Sequence, residues 1–224
     1  MQRDFGLSVR VHKPRVSYRE SVRASAEAVG EFQRTQAGVS QFARVRLSIE
    51  PVSDDAPADL ESRLDPLALT PALSEALHQG LQDELAGGGS LGYPLMNLKV
   101  VLQEVESRDE ETTEVALQAA ASDAMHRLLT EAGVVLLEPV MALEVVTPDE
   151  FLGPIQADLN ARHAVIVSSE RRGDLAVLNA EAPLAAMFGY STQARSLSQG
   201  RATYSMQPLK YAEAPRDVLE SMLG

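Results

Sequence analysis

Residues 138–159, EPVMALEVVTPDEFLGPIQADL, contain the local pattern from which the rest of the fold can be built outward. Residues 138–146 form a short, mostly apolar run, which predicts a strand. Thr147, Pro148 and Glu150 then form a capping box with proline in the first turn, so we expect a helix to begin there. The apolar face of this helix consists of Phe151, Leu152, Ile155 and Leu159. The stretch therefore predicts a strand followed directly by an amphipathic helix.

The chain beyond this helix continues in the same regular way. The predicted elements are strands at 163–169, 175–182 and 202–207, with a helix that Pro183 opens and Gly200 ends before the last strand. We expect Met187 and Phe188 to pack this helix inward. The order β-α-β-β-α-β is the split βαβ arrangement of a ferredoxin-like fold. Residues 138–207 are therefore predicted to form a ferredoxin-like domain.

The upstream residues predict a second α+β unit, over about 1–135. Thr70 as N-cap and Pro71 in the first turn begin a helix with leucine at every fourth position, and the glycines at 87–89 end it. An alanine-rich helix is predicted over 115–133, where small side chains allow close packing on a sheet. The other predicted elements are strands at 6–12, 15–20, 31–36, 42–50 and 95–103, a charged turn at 104–114 and a closing helix at 215–223.

The composition is that of a folded protein without thiol chemistry. The chain has 224 residues, of which 45% are hydrophobic, and no cysteine, which excludes disulfides and thiolate metal sites and fits a reducing cytosol. The formal net charge is −12, yet residues 1–46 contain nine Arg or Lys against four Asp or Glu. A basic N-terminal segment thus precedes an acidic body. No apolar run has the length of a membrane span and the N-terminus lacks a signal-peptide stretch, so we expect no membrane partner.

The sequence contains no recognisable catalytic, cofactor-binding or metal-binding pattern. The four histidines lie far apart, and none has a partner at i+3 or i+4 that would make a zinc motif. The glycines of 87–92 lack the Lys-Ser/Thr of a phosphate loop. Ser90 among them follows a predicted helix and precedes a predicted strand, unlike the strand-to-helix turn of a G-x-S-x-G elbow. Glu110 and Glu111 can be imagined as an acid and base pair, but a run of carboxylates is usually a solvated turn.

Arginines are the more suggestive residues. They lie on one face of a strand (Arg44 and Arg46), in a hairpin turn (Arg171 and Arg172) and on either side of the glycine that ends the second helix (Arg195 and Arg201). Arginines in loops often contact the phosphates of nucleic acids. The alternative is that these side chains are solubilising surface charge.

Six segments of the sequence resemble segments of a known protein family. They are KPRVSYRE (13–20), LGYPL (91–95), LLEPVMALEVVTPDEFLG (136–153), ADLNAR (157–162), APLAAMFGYSTQARSLSQGRATYSM (182–206) and YAEAPRDV (211–218). Together they cover nearly the whole chain, which resembles the C-terminal domains, IV and V, of translation elongation factor G. The words GYST and LSQGRATY look closer to the second elongation factor G of mitochondria and some bacteria, whose role is ribosome recycling.

The resemblance implies two domains and a larger parent protein. Residues 1–135, with a closing helix at 211–224 packing back, would form the ribosomal-protein-S5-like α+β domain IV, and 138–207 the ferredoxin-like domain V. The sequence has no GxxxxGK[ST] motif, so GTP and Mg²⁺ are expected to bind a GTPase domain outside this fragment, which is itself expected to be neither an enzyme nor cofactor-binding. The implied partner is the cytoplasmic ribosome, through its rRNA, the small-subunit decoding region and the large-subunit stalk base, together with the ribosome recycling factor.

The loops at the tip of domain IV depart from the family pattern. The first keeps Gly38 and Gln41, and in the second Arg108 replaces a histidine that is important for translocation and stands among carboxylates. An acidic tip should approach RNA phosphates less readily, which favours recycling over translocation. The residues expected to contact the ribosome are Gln41, Arg44, Arg108, Arg171, Arg172, Arg195 and Arg201. The rival hypotheses are a ribosome-protection protein of the same superfamily, a free-standing ligand-binding regulator built on the ferredoxin-like unit, and a hydrolase using Glu110 or Glu111.

Overall fold

The computed structural model describes residues 16–53, 55–215 and 218–220, and the chain divides into two compact units. The larger unit contains Tyr18–Glu138 and the described residues from Tyr211 onward. The smaller unit contains Pro139–Lys210 together with residues 16 and 17. The strand expected at 6–12 lies outside the described residues.

In chain order the larger unit contains β1 (Arg19–Val22), β2 (Ala26–Gln36), β3 (Val39–Pro51), β4 (Asp59–Ser62), α1 (Pro71–Gly87), β5 (Leu98–Glu106), α2 (Glu114–Ala132) and the first part of β6 (Val134–Pro148). Its main sheet has the strand order β2-β3-β5-β4, in which β4 alone runs parallel to its neighbour β5. The first part of β6 pairs with β1 in an antiparallel register.

The β2–β3 hairpin extends further than the sequence pattern predicted. Its register runs from Ala26 opposite Ile49 to Gln36 opposite Val39, so the loop expected at 37–41 is only a two-residue turn. Both turn residues have left-handed backbones, with φ of 51° at Ala37 and 81° at the following glycine. Because this backbone matches the twist of paired strands, the ladder continues to the end of the hairpin.

Both helices of the larger unit confirm the sequence prediction. The Thr70 hydroxyl accepts a hydrogen bond from the Leu73 amide at 3.4 Å, and Leu77, Leu81 and Leu85 are buried. Helix α2 buries five alanines and lies so close to β2 that a Cβ on Gly30 would overlap its backbone at Ala120 and Ala124. Glycine on the strand and alanine on the helix together permit this short separation.

The smaller unit contains the rest of β6, a 3₁₀ turn (Asp149–Phe151), α3 (Leu152–Ala161), β7 (Val165–Arg172), β8 (Leu175–Pro183), a second 3₁₀ turn (Leu184–Met187), α4 (Tyr190–Leu197) and β9 (Thr203–Glu213) as far as Lys210. Strand β8 lies between β6 and β7, and β9 pairs with β6. The predicted β-α-β-β-α-β order of a ferredoxin-like unit is confirmed. Its core includes Leu143, Val145, Ile155, Leu159, Leu178 and Tyr190.

The capping box expected at residue 147 is wrong. Thr147 pairs with Ala176 near the end of β6, is fully buried, and its Oγ1 has no hydrogen-bond partner among the described residues. The 3₁₀ turn begins at Asp149, and the α-helix only at Leu152. Pairing with β8 keeps the backbone extended as far as Pro148, and this long-range ladder overrides the local capping signal.

The second helix of the smaller unit also differs from its prediction. The chain after Pro183 forms a 3₁₀ turn, and α4 starts only after Gly189, whose φ is 74°. Met187 is buried as expected, but Phe188 is only half-buried and Tyr190 is the aromatic residue in the core.

The glycine at the end of α4 behaves as the sequence indicated. Helix α4 ends at Leu197, and the Gly200 amide donates to the Arg195 carbonyl oxygen at 2.8 Å. Beyond it, β9 extends past the predicted end at 207 to Glu213. Residues 211–213 are therefore strand, not part of a closing helix, and 218–220 are the described helical residues in this segment.

Candidate functional site

The end of the larger unit brings two distant segments together, and we call this region the tip. It consists of the β2–β3 turn with residues 37–44 and the loop 107–113 between β5 and α2. The Phe42 amide donates to the Glu111 carbonyl oxygen at 3.0 Å. The Thr112 hydroxyl donates to the Phe42 carbonyl oxygen at 2.8 Å across a separation of 70 residues. Gln41, Arg44 and Arg108, three of the residues selected from the sequence, therefore belong to one surface region.

Arg108 lies over an aromatic ring at the tip. Its guanidinium carbon is 3.5 Å from the centre of the Phe42 ring, an arrangement in which the ring face attracts the cation. Carboxylate oxygens of Glu106 and Glu111 lie 3.9 and 3.6 Å from its nitrogens, too far for hydrogen bonds. Phe42 is 3% exposed, whereas the Arg108 side chain is 46% exposed. The cation is thus held in place and still faces solvent.

Arg44 occupies the middle of a row of charges that crosses three strands. It faces Glu31 on β2 and Glu106 on β5 in the register of the sheet, and its nitrogens approach these carboxylates to 2.9 and 3.2 Å. Arg46 pairs with Glu104 at 3.3 Å in the next row. The expectation that Arg44 and Arg46 share one face is confirmed. Each is opposed by carboxylates, so the row carries no excess positive charge.

The loop 107–113 and its flanks are strongly acidic. Between residues 104 and 114, Arg108 is the one basic residue against six carboxylates. Glu110 is exposed at a left-handed backbone position, with φ of 61°, and Glu111 contacts Arg108. A general acid and base need a shared substrate position, whereas these two side chains belong to a solvated turn. The arrangement gives no support to the hydrolase hypothesis.

In the smaller unit, two candidate arginines converge on the 3₁₀ turn after β6. Arg171 binds both carboxylate oxygens of Asp149, at 2.9 and 3.0 Å. Arg201 donates to Glu150 at 2.6 Å and its guanidinium carbon lies 5.2 Å from the centre of the Phe151 ring. All four charged side chains in these two pairs are substantially exposed, and exposed pairs of this kind are weak and exchangeable.

The other two candidates of this unit are placed differently. Arg172 pairs with Glu170 on its own strand at 3.6 Å. Arg195 lies exposed in the last turn of α4 and forms no ion pair with the described residues. The structure therefore brings Arg171 and Arg201 to the same turn. Arg172 and Arg195 lie away from that turn, the first paired with Glu170 on β7 and the second exposed on α4.

Sequence reasoning missed Arg162, which organises the corner between α3 and α4. Its side chain is 19% exposed and donates to Asp158 at 2.8 Å, to the Ala186 carbonyl at 2.6 Å and to the Phe188 carbonyl at 3.3 Å. Its guanidinium carbon lies 5.3 Å from the ring centre of the buried Tyr190. The i, i+4 spacing of Asp158 and Arg162 on a predicted helix was a signal for the ion pair. The two carbonyl contacts had no local signal.

The described residues contain no cluster suited to a metal ion and no helix suited to spanning a membrane. No group of three or more histidine, aspartate or glutamate side chains is placed to hold a metal ion there. None of the helices in the same ranges combines the length and the apolar composition needed to cross a bilayer.

Two protein-family models match the chain, one after the other. The family described as "Elongation factor G, domain IV" matches residues 14–133. The family described as "Elongation factor G C-terminus" matches residues 135–222, which includes the segment after Lys210 that the structure groups with the larger unit.

Individual relatives agree with these matches. Elongation factor G of Thermotoga maritima and that of Thermotoga neapolitana are each 37% identical over the whole chain, which covers 32% of their length. A solved crystal structure of a protein from Thermus thermophilus superposes with a TM-score of 0.78 at 31% sequence identity, over 94% of this chain and 31% of that one. The chain thus spans about a third of the length of the curated relatives it matches.

Proposed function

This chain belongs to the elongation factor G family, and on that premise we propose that it is the ribosome-engaging part of a translational GTPase. Its fold is α+β, with a ribosomal-protein-S5-like domain IV followed by a ferredoxin-like C-terminal domain. The observation that carries the proposal is the match of both family models, in order, along the chain. We assign 1–135 with 211–224 to domain IV and 138–207 to domain V, and we place the site of action in the cytoplasm.

The chemistry of GTP hydrolysis belongs to another part of such a protein. The two matching family models are domain IV and the C-terminus, and the sequence contains no GxxxxGK[ST] phosphate loop. We infer that GTP and Mg²⁺ bind the GTPase domain of the parent protein. The described residues would transmit the resulting conformational change to the ribosome without reacting themselves.

We assign the tip to the decoding region of the small subunit and the arginines of the smaller unit to the stalk base of the large subunit. The exposed guanidinium of Arg108 supports the first assignment because it has donors left for phosphate oxygens. The exposed pairs of Arg171 and Arg201 support the second, since rRNA phosphates can replace surface carboxylates at small cost.

We further propose that the parent protein acts in ribosome recycling, together with the ribosome recycling factor, instead of in translocation. The support is the charge of the tip: Arg108 stands where the family has a translocation histidine, and six carboxylates surround it between 104 and 114. An acidic loop is repelled by the phosphates of tRNA and mRNA. This repulsion counts against translocation and makes recycling the role that we favour.

The test uses the full-length parent protein with purified bacterial ribosomes and GTP. Light scattering follows subunit splitting with and without recycling factor, and a fluorescent mRNA follows translocation. We expect splitting that depends on the recycling factor and translocation reduced at least about tenfold relative to a translocating elongation factor G, which corresponds to about 1.4 kcal/mol in the barrier.

The matched variant is Arg108→His, which restores the family residue without altering the carboxylates. Because the acidic loop remains, we expect translocation by this variant to stay reduced. Normal translocation by the unaltered protein would contradict the recycling role and leave the ribosomal assignment standing. Failure of both activities, with no ribosome binding by the 224-residue chain, would overturn the proposed function as a whole.

A further inference from the structure

The Thr112 hydroxyl closes the loop 107–113 on itself and adds a hydrogen bond to β3, beside the one that the Phe42 amide donates to the Glu111 carbonyl. The Thr112 amide donates to the Arg108 carbonyl at 2.9 Å, and the Arg108 amide donates back to Thr112 Oγ1 at 2.8 Å. The same Oγ1 donates its hydrogen to the Phe42 carbonyl at 2.8 Å. The Thr112 hydroxyl thus uses both its donor and its acceptor capacity, and it links the loop to a strand that is 70 residues distant in sequence.

This link fixes the base of the Arg108 side chain. Arg108 extends from the loop over the Phe42 ring, so its guanidinium position depends on the backbone of both residues. The loop also contains Glu110 with φ of 61°, a conformation that costs energy for a residue with a side chain. Without the Thr112 hydroxyl, the Phe42–Glu111 backbone hydrogen bond remains, but the closure between residues 108 and 112 and the second bond to β3 are lost. The loop should then loosen, and the arginine should lose its place on the ring.

We propose that Thr112 is a positioning residue of the tip, whose hydroxyl holds the loop 107–113 on β3 and thereby presents the Arg108 guanidinium outward on the Phe42 ring. The inference rests on the proposed function in one respect, namely that the surface so positioned is the one that meets the ribosome. The ligand group suited to Arg108 is a phosphate oxygen of RNA, because its guanidinium donates no hydrogen bond to any described residue.

The neighbouring threonine offers a matched control. Thr113 is the N-cap of α2, and its Oγ1 accepts the Ala116 amide at 3.2 Å. Two adjacent threonines therefore have separate tasks: Thr112 ties the loop to β3, and Thr113 begins the helix. Replacing either hydroxyl by a methyl group changes the same number of atoms, so the pair of variants separates a positioning effect from general loss of stability.

The experiment compares Thr112→Val, Thr112→Ser and Thr113→Val in the 224-residue chain. Hydrogen exchange of the Phe42 amide reports the attachment of the loop, and the ring-current shift of the Arg108 side chain, measured by NMR, reports its place on the ring. Co-sedimentation with purified bacterial ribosomes reports binding. Thr112→Ala replaces Thr112→Val if the latter does not fold.

We expect Thr112→Val to speed exchange at Phe42 about tenfold, the effect of one lost net hydrogen bond. It should abolish the Arg108 ring-current shift and weaken ribosome binding about threefold to fivefold, the upper range expected for one charged contact. Thr112→Ser should restore all three signals. Thr113→Val should lower the melting temperature while the Arg108 shift persists.

The readouts separate the two levels of the proposal. An unchanged Phe42 exchange rate and Arg108 shift in Thr112→Val would overturn the positioning role, and so would full ribosome binding by a variant that has lost both signals. If the signals change as expected but the unaltered chain does not bind ribosomes, the positioning of Arg108 by Thr112 is supported and the proposed function is overturned.

Discussion

Arg108 lies 3.5 Å from the centre of the Phe42 ring and Arg162 lies 5.3 Å from that of Tyr190, but the two guanidinium groups differ in everything else they contact. Arg162 donates to one carboxylate and two backbone carbonyls and is 19% exposed. Arg108 has carboxylates only at 3.6 and 3.9 Å and is 46% exposed. The first side chain joins two helical segments, whereas the second is presented to solvent.

This difference shows that contact with an aromatic ring does not distinguish an arginine that stabilises the fold from one that is available to bind a partner. A guanidinium group has five N–H donors in a fixed plane, and the use of these donors decides its role. In Arg162 they complete the hydrogen bonding of partly buried acceptors, so removal leaves those acceptors unpaired. In Arg108 the ring holds the cation in place while the donors stay available. The following predictions test this distinction.

The largest effect is expected when Arg162 is replaced by methionine, which keeps an unbranched apolar stem but removes the guanidinium group. Asp158 and two backbone carbonyls lose their donor in a largely buried corner, so the free energy of unfolding should fall by about 3 kcal/mol. Urea denaturation followed by circular dichroism measures the change.

Arg108→Met is the control for this prediction, and it should lower the free energy of unfolding by less than about 1 kcal/mol, as expected for an exposed cation on a ring. Similar losses for the two variants would contradict the proposed division between a structural and a presented arginine.

A second effect is a loss of stability at high pH, which we expect from Tyr190, the aromatic residue next to Arg162. Burial, and next the nearby Asp158 carboxylate, raise the pKa of Tyr190 to about 12. The folded protein therefore holds this proton more tightly than the unfolded chain, whose tyrosine pKa is about 10. The resulting stability is complete below about pH 10 and is lost as the pH rises towards about 12, at about 1.4 kcal/mol per pH unit.

Tyr190→Phe isolates this contribution, because the other titrating groups remain. The buried hydroxyl has no hydrogen-bond partner among the described residues, so its removal should cost little at neutral pH. Urea unfolding at about pH 7 and about pH 11 should show a smaller loss in the variant than in the unaltered chain. If the variant and the unaltered chain lose the same unfolding free energy between these two pH values, a group other than Tyr190 is responsible for the loss. Phe42, the ring beneath Arg108, has no such group and provides no corresponding pH dependence.

The smallest effect concerns Arg108 in ribosome binding. Arg108→Ala should weaken co-sedimentation about threefold to fivefold and lower the slope of log affinity against log salt by about one, the signature of one phosphate contact. Arg108→Lys keeps the charge without the planar stack on Phe42, so it should keep the salt slope and lose part of the affinity. An unchanged slope in the alanine variant would remove Arg108 from the proposed contact surface.

Much of the fold was predictable because its signals are local. The Thr70 N-cap, the leucine stripe of α1 and the β-α-β-β-α-β order are written in neighbouring residues, and the structure confirms them. The capping signal at Thr147 is equally local and proved wrong, since the partner that decides its conformation is Ala176 on β8. Local patterns predict a helix or strand well where no neighbouring strand can form hydrogen bonds with the same backbone groups.

The candidate site was predictable only in part. The sequence indicated that Arg44 and Arg46 share a face, because alternation along a strand is a local property. It did not indicate that Glu31 and Glu106 face Arg44, nor that Arg171 and Arg201 meet at the turn after β6, because these contacts depend on strand register and chain topology. The positions assigned to the ribosome from family resemblance stay predictions.

The sequence by itself determined the types and order of most elements, the acidic character of the loop before α2 and membership of the elongation factor G family, since each depends on residue identity and short spacing. Only the tertiary structure decided which arginines donate hydrogen bonds to protein acceptors, as Arg162 does, and which keep their donors facing solvent, as Arg108 does. Glu106 contacts Arg44, and Arg108 and Thr112 contact Phe42, in each case across more than 60 residues of sequence. Hydrogen bonds and ion pairs act over a few ångströms in space, and no spacing along the sequence encodes which distant groups will meet.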